Sequence, residues 1–468
     1  MLATAPAVFQ TDRFLGYGVP REGRVTPGDH LQTVYALWLP GHQLARGEAP
    51  WLDPYSFQPV VEPRVNFAGW PFAAVYGPLR AALGTVAGWN VFVLLTFVGA
   101  GGICALWLRA LGLPLGAALV GGLAFALAPY RVAQSTGHLL GPISMLLPLA
   151  LYGVERRRAW LAVAALASIP LSGQVHLALG AIPFVLAYAW ARGRGRLGLA
   201  AAGASVAAGL LVWATTLRDA AERPFSEVER YSATLLDFVR RDPGEFERFA
   251  YLGWLVPVAA VVGLGLCFRN TKFLSRPALA VLAAGTVAPI LLALGANLPG
   301  YGFIWLNSPL GATRVPERLM PIACLALAAL AALAIACVSE TQSPLRARAL
   351  AVAAGLLVVA DLWVPLFDPL NADEGNAVYA RVREAPPGRL LETPVLPPDA
   401  YAGSVYLYYA MQAPRERVLG YSTSAPPEAF DTAFRRLAAG RGRTLGISVV
   451  VEYRGGVPRR VTSAARGE

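Results

Sequence analysis

Charged residues are scarce in this sequence. They make up 15% of its 468 residues, whereas soluble globular proteins carry about 25%, and 56% of the residues are hydrophobic. The mean hydropathy is +0.48. This composition argues against an ordinary soluble protein and indicates a chain that places much of its length in lipid.

Lysine is almost absent. Lys272 is the single lysine among 40 basic residues, and the net charge is +11. The basic residues are dispersed through short breaks beside apolar blocks and do not form one dense patch. This pattern favours anionic lipid headgroups and membrane topology over a groove for nucleic acid, so we expect membrane lipids, and no nucleic acid, among the partners.

Cysteine and the familiar catalytic motifs are also missing or rare. The four cysteines, Cys104, Cys267, Cys324 and Cys337, all lie in apolar blocks without metal-ligand spacing, which predicts buried reduced thiols. No P-loop, GxSxG, HExxH or dinucleotide-binding motif occurs in a suitable context. Asp361 is the one acid well inside an apolar block. Ion-coupled transporters usually need more such residues.

Long apolar blocks recur from Trp89 to Phe367. A hydrocarbon core of about 30 Å needs roughly 20 helical residues at 1.5 Å each, and backbone in lipid must be helical to satisfy its own hydrogen bonds. The ten predicted spans cover approximately residues 89–108, 113–129, 139–154, 159–171, 175–191, 197–217, 250–268, 277–295, 319–338 and 349–367.

The polar breaks between these blocks alternate in charge. Every second break is rich in basic residues: Arg109, Arg156–Arg158, Arg192–Arg196, Arg269–Arg276 and Arg346–Arg348. Cytoplasmic loops of membrane proteins show this bias. We therefore expect the other breaks outside, in a multi-pass protein of the cell inner membrane. An even number of spans places both chain ends outside, so we also expect a further transmembrane helix upstream of Met1.

Three regions follow from this pattern. Residues 1–88 form an outer-side segment with two amphipathic interfacial helices, predicted at His30–Arg46 and Phe67–Leu83. Residues 89–367 form the transmembrane helical domain, and residues 368–468 form a small extracytoplasmic α/β domain. In that last region we predict strands at Arg389–Val395, Val418–Tyr421 and Ile447–Tyr453, with a helix near Pro427–Ala439. The expected fold is thus mainly α, a polytopic bundle with an α/β appendage.

Candidate site residues lie in the outer breaks. Asp29 opens the first amphipathic helix, where it is either an N-cap or a catalytic carboxylate. Arg131 follows the second span, and topology gives no reason for a basic residue there. Its side chain either reaches along the apolar surface to place its charge in water, or it binds an anion, since the planar guanidinium can bind phosphate through two hydrogen bonds. Gln134 and His138 lie close to it in sequence.

A second basic cluster precedes the ninth span. Arg314 and Arg318 flank Pro316-Glu317, which is either a capped helix start or a basic site with an internal acid. All four histidines, including His30, fall on the predicted outer side. They have no paired metal-ligand spacing, so no metal ligands are assigned.

Several of these stretches resemble the bacterial members of the GT-C superfamily, the polytopic membrane glycosyltransferases that use polyprenyl-phosphate sugars. The resemblance covers most of residues 26–450. The stretches that carry it are Gly28-Asp29, Ala49-Pro50-Trp51, Phe125–Arg131 with Gln134 and His138, Leu147–Leu151, Arg314–Arg318, Leu391–Pro394 and Gly420-Tyr421-Ser422.

The resemblance implies that Asp29 is the catalytic base, and that Arg131, Arg314 and Arg318 bind the phosphate of a polyprenyl-phosphate-linked sugar. The protein would then transfer that sugar, with inversion, to a glycan, lipid or protein acceptor at the outer face of the membrane. His30 and Glu317 are further site candidates. No cofactor is certain, and a divalent metal ion stays open. The alternatives are a lipid or polysaccharide transporter, flippase or polymerase, and a catalytically silent membrane assembly protein.

Overall fold

The structure is a computed structural model that describes residues 12–20, 22–218, 224–242, 246–269, 271–422 and 424–463. Most of the described chain is helical. The α-helices in chain order are Asp29–Ala45, Ala73–Leu83, Thr85–Ala110, Leu115–Ala126, Pro129–Gln134, Leu140–Ile143, Leu146–Glu155, Ala159–Leu171, Val175–Ala191, Gly195–Val212, Phe225–Tyr231, Leu255–Arg269, Arg276–Ala293, Tyr301–Leu306, Met320–Ser339, Pro344–Leu362, Ala377–Glu384, Ser404–Gln412 and Arg435–Ala438.

Helices occupy most of each of the ten apolar blocks predicted as membrane spans. Among the described residues, four are long and apolar enough to cross a membrane by length and composition: Thr85–Ala110, Gly195–Leu217, Arg276–Ala293 and Pro316–Ser339. Five shorter apolar helices are Leu115–Ala126, Leu140–Glu155, Ala159–Leu171, Val175–Ala191 and Leu255–Arg269. A total of about ten crossings therefore stays a prediction.

The helix Met320–Ser339 lies at the centre of the bundle. Of its 20 residues, 17 are buried, and most of them are alanine or leucine. It packs against Leu255–Arg269, Arg276–Ala293 and Leu115–Ala126. Small residues at these contacts allow close approach, because a Cβ added at Gly263 would overlap the carbonyl oxygen of Leu330 in the facing helix.

Seven strands form three small sheets in the described part of the chain. Arg13–Gly16 pairs antiparallel with Asp368–Asn371, and Leu52–Asp53 pairs antiparallel with Arg64–Val65. In the third sheet Arg389–Thr393 lies parallel to Ile447–Arg454, which pairs antiparallel with Val457–Ser463. Two of the three predicted strands of the C-terminal region are therefore present.

The third predicted strand, Val418–Tyr421, is wrong. The chain there makes only a bridge between Arg417 and Leu390, and then leaves the sheet edge. The predicted helix near Pro427–Ala439 is present as a π-helical turn, Ala429–Phe434, followed by Arg435–Ala438.

The N-terminal segment packs on the C-terminal region. The strand Arg13–Gly16 pairs with Asp368–Asn371, and the helix Asp29–Ala45 packs against Ser404–Gln412. That first helix is buried on most sides, including His30, Tyr35 and Gln43, so it lacks the broad exposed face expected of an interfacial helix. The second predicted interfacial helix, observed at Ala73–Leu83, buries only Tyr76. The domain boundaries at residues 88 and 367 stay predictions.

The four cysteines are free, as predicted. Cys104, Cys267 and Cys324 are buried, and Cys337 is half-buried. The Sγ atoms of Cys267 and Cys337 lie 3.5 Å apart, between two packed helices.

Candidate active site

A cavity of about 530 Å³ lies between the first helix, the ends of two membrane helices and the C-terminal region. The helix Gly195–Leu217 contributes Val212, Thr216 and Leu217 at its end, and Arg314, Val315 and Arg318 line the cavity just before the central helix. The charged or titratable side chains of its wall are Asp29, Asp53, Asp399, Arg64, Arg314, Arg318, His138 and His176, with the tyrosines Tyr35, Tyr231, Tyr401 and Tyr421.

Asp29 occupies the first turn of its helix and does not cap it. The N-cap residue is Gly28, and the helix has no side-chain cap hydrogen bond, so of the two roles left open for Asp29 the N-cap is wrong. The Gly28 amide donates instead to Ser404 Oγ of the C-terminal region, at 3.0 Å. An acidic side chain in the first turn is stabilised by the helix dipole, and this carboxylate faces the cavity.

Two residues from distant parts of the chain hold the Asp29 carboxylate. The Tyr421 hydroxyl donates to Oδ1 at 3.1 Å, and His138 Nε2 lies 3.3 Å from Oδ2. The side chains of Asp29 and His138 are 23% and 20% exposed, so both are accessible from the cavity. Burial, and then the negative charge of Asp29, raise the pKa of Tyr421. Its phenol therefore stays protonated and acts as a donor.

Glycine allows His138 to approach. A Cβ at Gly137 would lie 3.2 Å from the His30 backbone nitrogen and 3.4 Å from Asp29 Cβ, so a larger residue would push the two segments apart. The Thr33 hydroxyl donates to the Gly137 carbonyl at 2.6 Å. The loop carrying His138 is thus fixed against the start of the first helix.

Asp53 also lines the cavity, but its oxygens are engaged by neighbours. Its Oδ1 accepts hydrogen bonds from the Tyr35 hydroxyl at 2.8 Å and the Tyr55 amide at 2.9 Å. Burial raises the pKa of its carboxyl. Asp53 is therefore a structural carboxylate, and Asp29 is the better placed of the two for chemistry.

Three arginines give the cavity its positive charge. Arg314 NH1 lies 3.7 Å from Glu227 Oε2, and its guanidinium lies over the Tyr231 ring. Arg314 also acts electrostatically on Tyr421, the residue bonded to Asp29, since its charge lowers the tyrosine pKa against the larger effect of burial. Arg64 donates to the carbonyls of Thr216 and Ser424, both at 3.2 Å.

The structure corrects the prediction that Arg131 shares this cavity. Arg131 is fully buried and does not line it. Its Nε donates to Ser144 Oγ at 3.0 Å, its NH1 to the Ala126 carbonyl at 3.1 Å and its NH2 to the Thr96 carbonyl at 3.0 Å. All three guanidinium nitrogens are thus hydrogen-bonded inside the bundle, so Arg131 is not placed for the phosphate-binding role that the resemblance implied.

Of the other predicted site residues, some line the cavity and some do not. Arg314, Arg318 and His138 line the cavity with Asp29. Gln134 and Glu317 are buried and lie outside the cavity wall. His30 is buried beside Asp29 and lines a smaller adjoining pocket.

No protein-family model and no curated protein matches this chain. Solved structures do match its fold. One is the arabinofuranosyltransferase AftD from Mycobacteria, at 19% identity and a TM-score of 0.55, with 96% of this chain and 34% of that chain covered. Another is the oligosaccharyltransferase of Archaeoglobus fulgidus tethered to an acceptor peptide with the NVT sequon. It matches at 11% identity and a TM-score of 0.51, with 96% and 68% covered.

The fold is GT-C-like. This confirms the architecture that the motif resemblance implied. The apolar helices and the membrane-enzyme fold together identify a membrane protein. The chain spans about a third of the length of the mycobacterial enzyme, so that enzyme's activity is not carried over with the fold.

Sequence reasoning missed several residues of the cavity. Tyr421 belongs to a stretch quoted for the resemblance, but its place in a predicted strand hid its contact with Asp29. His176 was noted only as one of the four histidines on the predicted outer side, and Arg64 lies in none of the motifs.

In the part of the chain that the structure describes, no group of three or more His, Cys, Asp or Glu side chains is arranged to hold a metal ion. Asp29 and His138 are two donors of suitable chemistry at the cavity wall, and a bound ion would need further ligands from substrate or water.

Proposed function

We propose that this protein is a glycosyltransferase of the inner membrane. It transfers a sugar from a polyprenyl-phosphate-linked donor to an acceptor at the outer face. The observation that carries the proposal is that the Asp29 carboxylate lies in one cavity with Arg64, Arg314 and Arg318. The GT-C-like fold supports the reaction class, since both solved neighbours are named as glycosyl-transferring enzymes.

The cavity has the two kinds of charge that this reaction needs. The acceptor hydroxyl gives its proton to Asp29 while its oxygen forms a bond to the anomeric carbon. The bond from that carbon to the phosphate oxygen breaks, and its electron pair leaves on the polyprenyl phosphate. Arg314 and Arg318 stabilise the negative charge that develops there. Attack on the face opposite the phosphate inverts the anomeric carbon.

Lipid access supports a lipid-linked donor. Val212, Thr216 and Leu217 belong to the end of a helix apolar and long enough to cross a membrane, and they line the cavity. On the same helix end Leu210, Leu211 and Trp213 are about half exposed, at 60%, 47% and 54%. A donor can therefore keep its apolar chain beside this helix while its phosphate meets the arginines.

Asp29→Asn is the decisive variant for this proposal. It preserves size and leaves the Tyr421 contact in place but removes the basic carboxylate. Because general-base catalysis is worth about 10²–10⁴-fold in rate, we expect transfer to fall by that factor with normal insertion into the membrane. The measurement is transfer of radiolabelled sugar from polyprenyl-phosphate donors in membranes of cells with and without the gene.

The matched control is Glu48→Gln, which removes an exposed carboxylate just beyond the other end of the same helix. It should retain full transfer. If Asp29→Asn also retains full transfer, Asp29 is not the base. If wild-type membranes transfer no sugar above those lacking the gene, the transporter and assembly-protein alternatives gain the support that the transferase loses.

A further inference from the structure

A smaller pocket adjoins the large cavity at the catalytic candidate. It encloses about 200 Å³ and shares Asp29, His138 and Tyr401 with the large cavity. The rest of its wall is formed by Tyr17, His30, Thr136, Gly137 and Phe246. The Asp29 carboxylate therefore faces two compartments.

The two compartments differ in charge. Arg64, Arg314 and Arg318 line the large cavity, and none of them lines the small pocket. Within the part of the chain that the structure describes, no arginine or lysine contributes to the small pocket, whereas Asp29 does. A phosphate would meet a carboxylate there without a compensating cation, but an uncharged hydroxyl could donate to that carboxylate.

Two stacked aromatic rings and a buried imidazole also line the small pocket. The rings of Tyr17 and Phe246 stack, with centroids 4.3 Å apart and planes 21° apart. His30 is 1% exposed, and its Nε2 has no hydrogen-bond partner among the described residues. Burial lowers the pKa of His30 to about 3, so this imidazole is neutral and adds no positive charge to the pocket wall.

We propose that this small pocket binds the acceptor, and that the acceptor group seated there is a neutral sugar residue presenting a hydroxyl to Asp29. The inference rests on the proposed glycosyl transfer. Aromatic faces with a few placed polar groups suit a sugar ring, which has both C–H and O–H surfaces. A volume of about 200 Å³ is below the roughly 300–1,000 Å³ of drug-sized sites, so one ring fits better than an extended peptide.

Binding can be measured without turnover on purified Asp29→Asn protein in detergent. The probes are a panel of neutral methyl glycosides, the matching sugar 1-phosphates and a peptide containing Asn-Val-Thr. Isothermal titration should show binding of a neutral glycoside. Tyr17→Ala and Phe246→Ala, each added to Asp29→Asn, should weaken it about three- to tenfold through loss of ring contact. Phe303→Ala, which removes an exposed aromatic ring elsewhere, should leave it unchanged.

The outcomes separate this inference from the proposed function. Glycoside binding weakened by both pocket variants, with no response to Phe303→Ala, supports the subsite even if wild-type membranes transfer no sugar. Peptide binding in place of glycoside binding overturns the neutral-sugar assignment. So does glycoside binding that both pocket variants leave intact, or no glycoside binding at all, even when wild-type transfer from lipid-linked donors is robust.

Discussion

At the scale of single residues, the site depends on three side chains that are far apart in the sequence. Asp29, His138 and Tyr421 meet at one carboxylate, with contacts of 3.1 Å and 3.3 Å. The Tyr421 hydroxyl fixes Oδ1 and leaves the remaining lone pairs of the carboxylate for substrate. We therefore regard Tyr421 as a positioning residue for the proposed base.

Tyr421→Phe tests that role. It removes the hydrogen bond but keeps the ring, so folding should be preserved. A hydrogen bond to a charged group contributes about 1.5–3 kcal/mol, which predicts a kcat about ten- to a hundredfold lower and an unchanged KM for the donor. Initial-rate kinetics in membranes would measure both. Tyr152→Phe, at a half-buried position outside the cavity, should change neither. A Tyr421→Phe enzyme with normal kcat would contradict the positioning role.

Asp29 and His138, both predicted from sequence, lie together at the cavity, whereas Arg131 lies elsewhere, and the reason is geometric. Sequence shows that Arg131 follows a span, but not which way the chain turns next. The short helix Pro129–Gln134 turns it inward, where two carbonyls and a hydroxyl need donors. Leaving a buried acceptor unpaired costs about 1–3 kcal/mol, so a buried arginine can serve the fold in place of a ligand.

At the scale of helices and strands, the apolar pattern predicted where the helices lie, but it did not predict which segments pair in the sheets. The apolar blocks mark helices because lipid and the protein interior both require internally bonded backbone. The segment Val418–Tyr421 looked like a strand by composition. The backbone amide of its neighbour Arg417 instead donates to the Tyr55 carbonyl, and the Val418 amide donates to the Leu390 carbonyl. Tertiary contacts therefore decide the path of this segment. Composition alone carries no information about such distant partners.

The contact between the helices Leu255–Arg269 and Met320–Ser339 gives a prediction at this scale. A Cβ at Gly263 would overlap the Leu330 carbonyl oxygen, whereas one at Gly265 would meet nothing within 4 Å. Gly263→Ala should therefore separate the helices and destabilise the protein by about 1–3 kcal/mol. Gly265→Ala raises helix propensity as much as Gly263→Ala does but creates no overlap with a neighbouring helix. It should therefore be neutral or slightly stabilising.

Thermal unfolding of both glycine variants in detergent, followed by loss of monodisperse protein, measures the difference. A melting temperature for Gly263→Ala equal to that of Gly265→Ala would show that these helices do not pack as closely as the structure has them.

At the scale of the whole molecule, the cavity and a basic cluster lie at opposite ends of one helix. Val175–Ala191 begins beside His176 at the cavity and ends before Arg192, which binds Glu155 Oε1 at 2.7 Å. Its 17 residues span about 25 Å at 1.5 Å each. Arg194 joins the same cluster, 3.0 Å from Glu155 Oε2.

Cytoplasmic loops are rich in arginine, so the end of this helix with the basic cluster is expected in the cytoplasm. The cavity at its other end, and the C-terminal region, are then predicted to lie outside the cytoplasm. The test adds one cysteine to the wild-type chain at either of two exposed positions, Glu384→Cys in the C-terminal region or Arg158→Cys in the basic cluster. A membrane-impermeant maleimide added to intact cells should label Glu384→Cys at once. It should label Arg158→Cys only after the membrane is permeabilised. The wild-type chain, whose four cysteines are buried or half-buried in apolar helices, supplies the background. The reverse pattern would place the cavity in the cytoplasm. It would also remove the outer-face reaction, since the assignment of both faces depends on the same arginines.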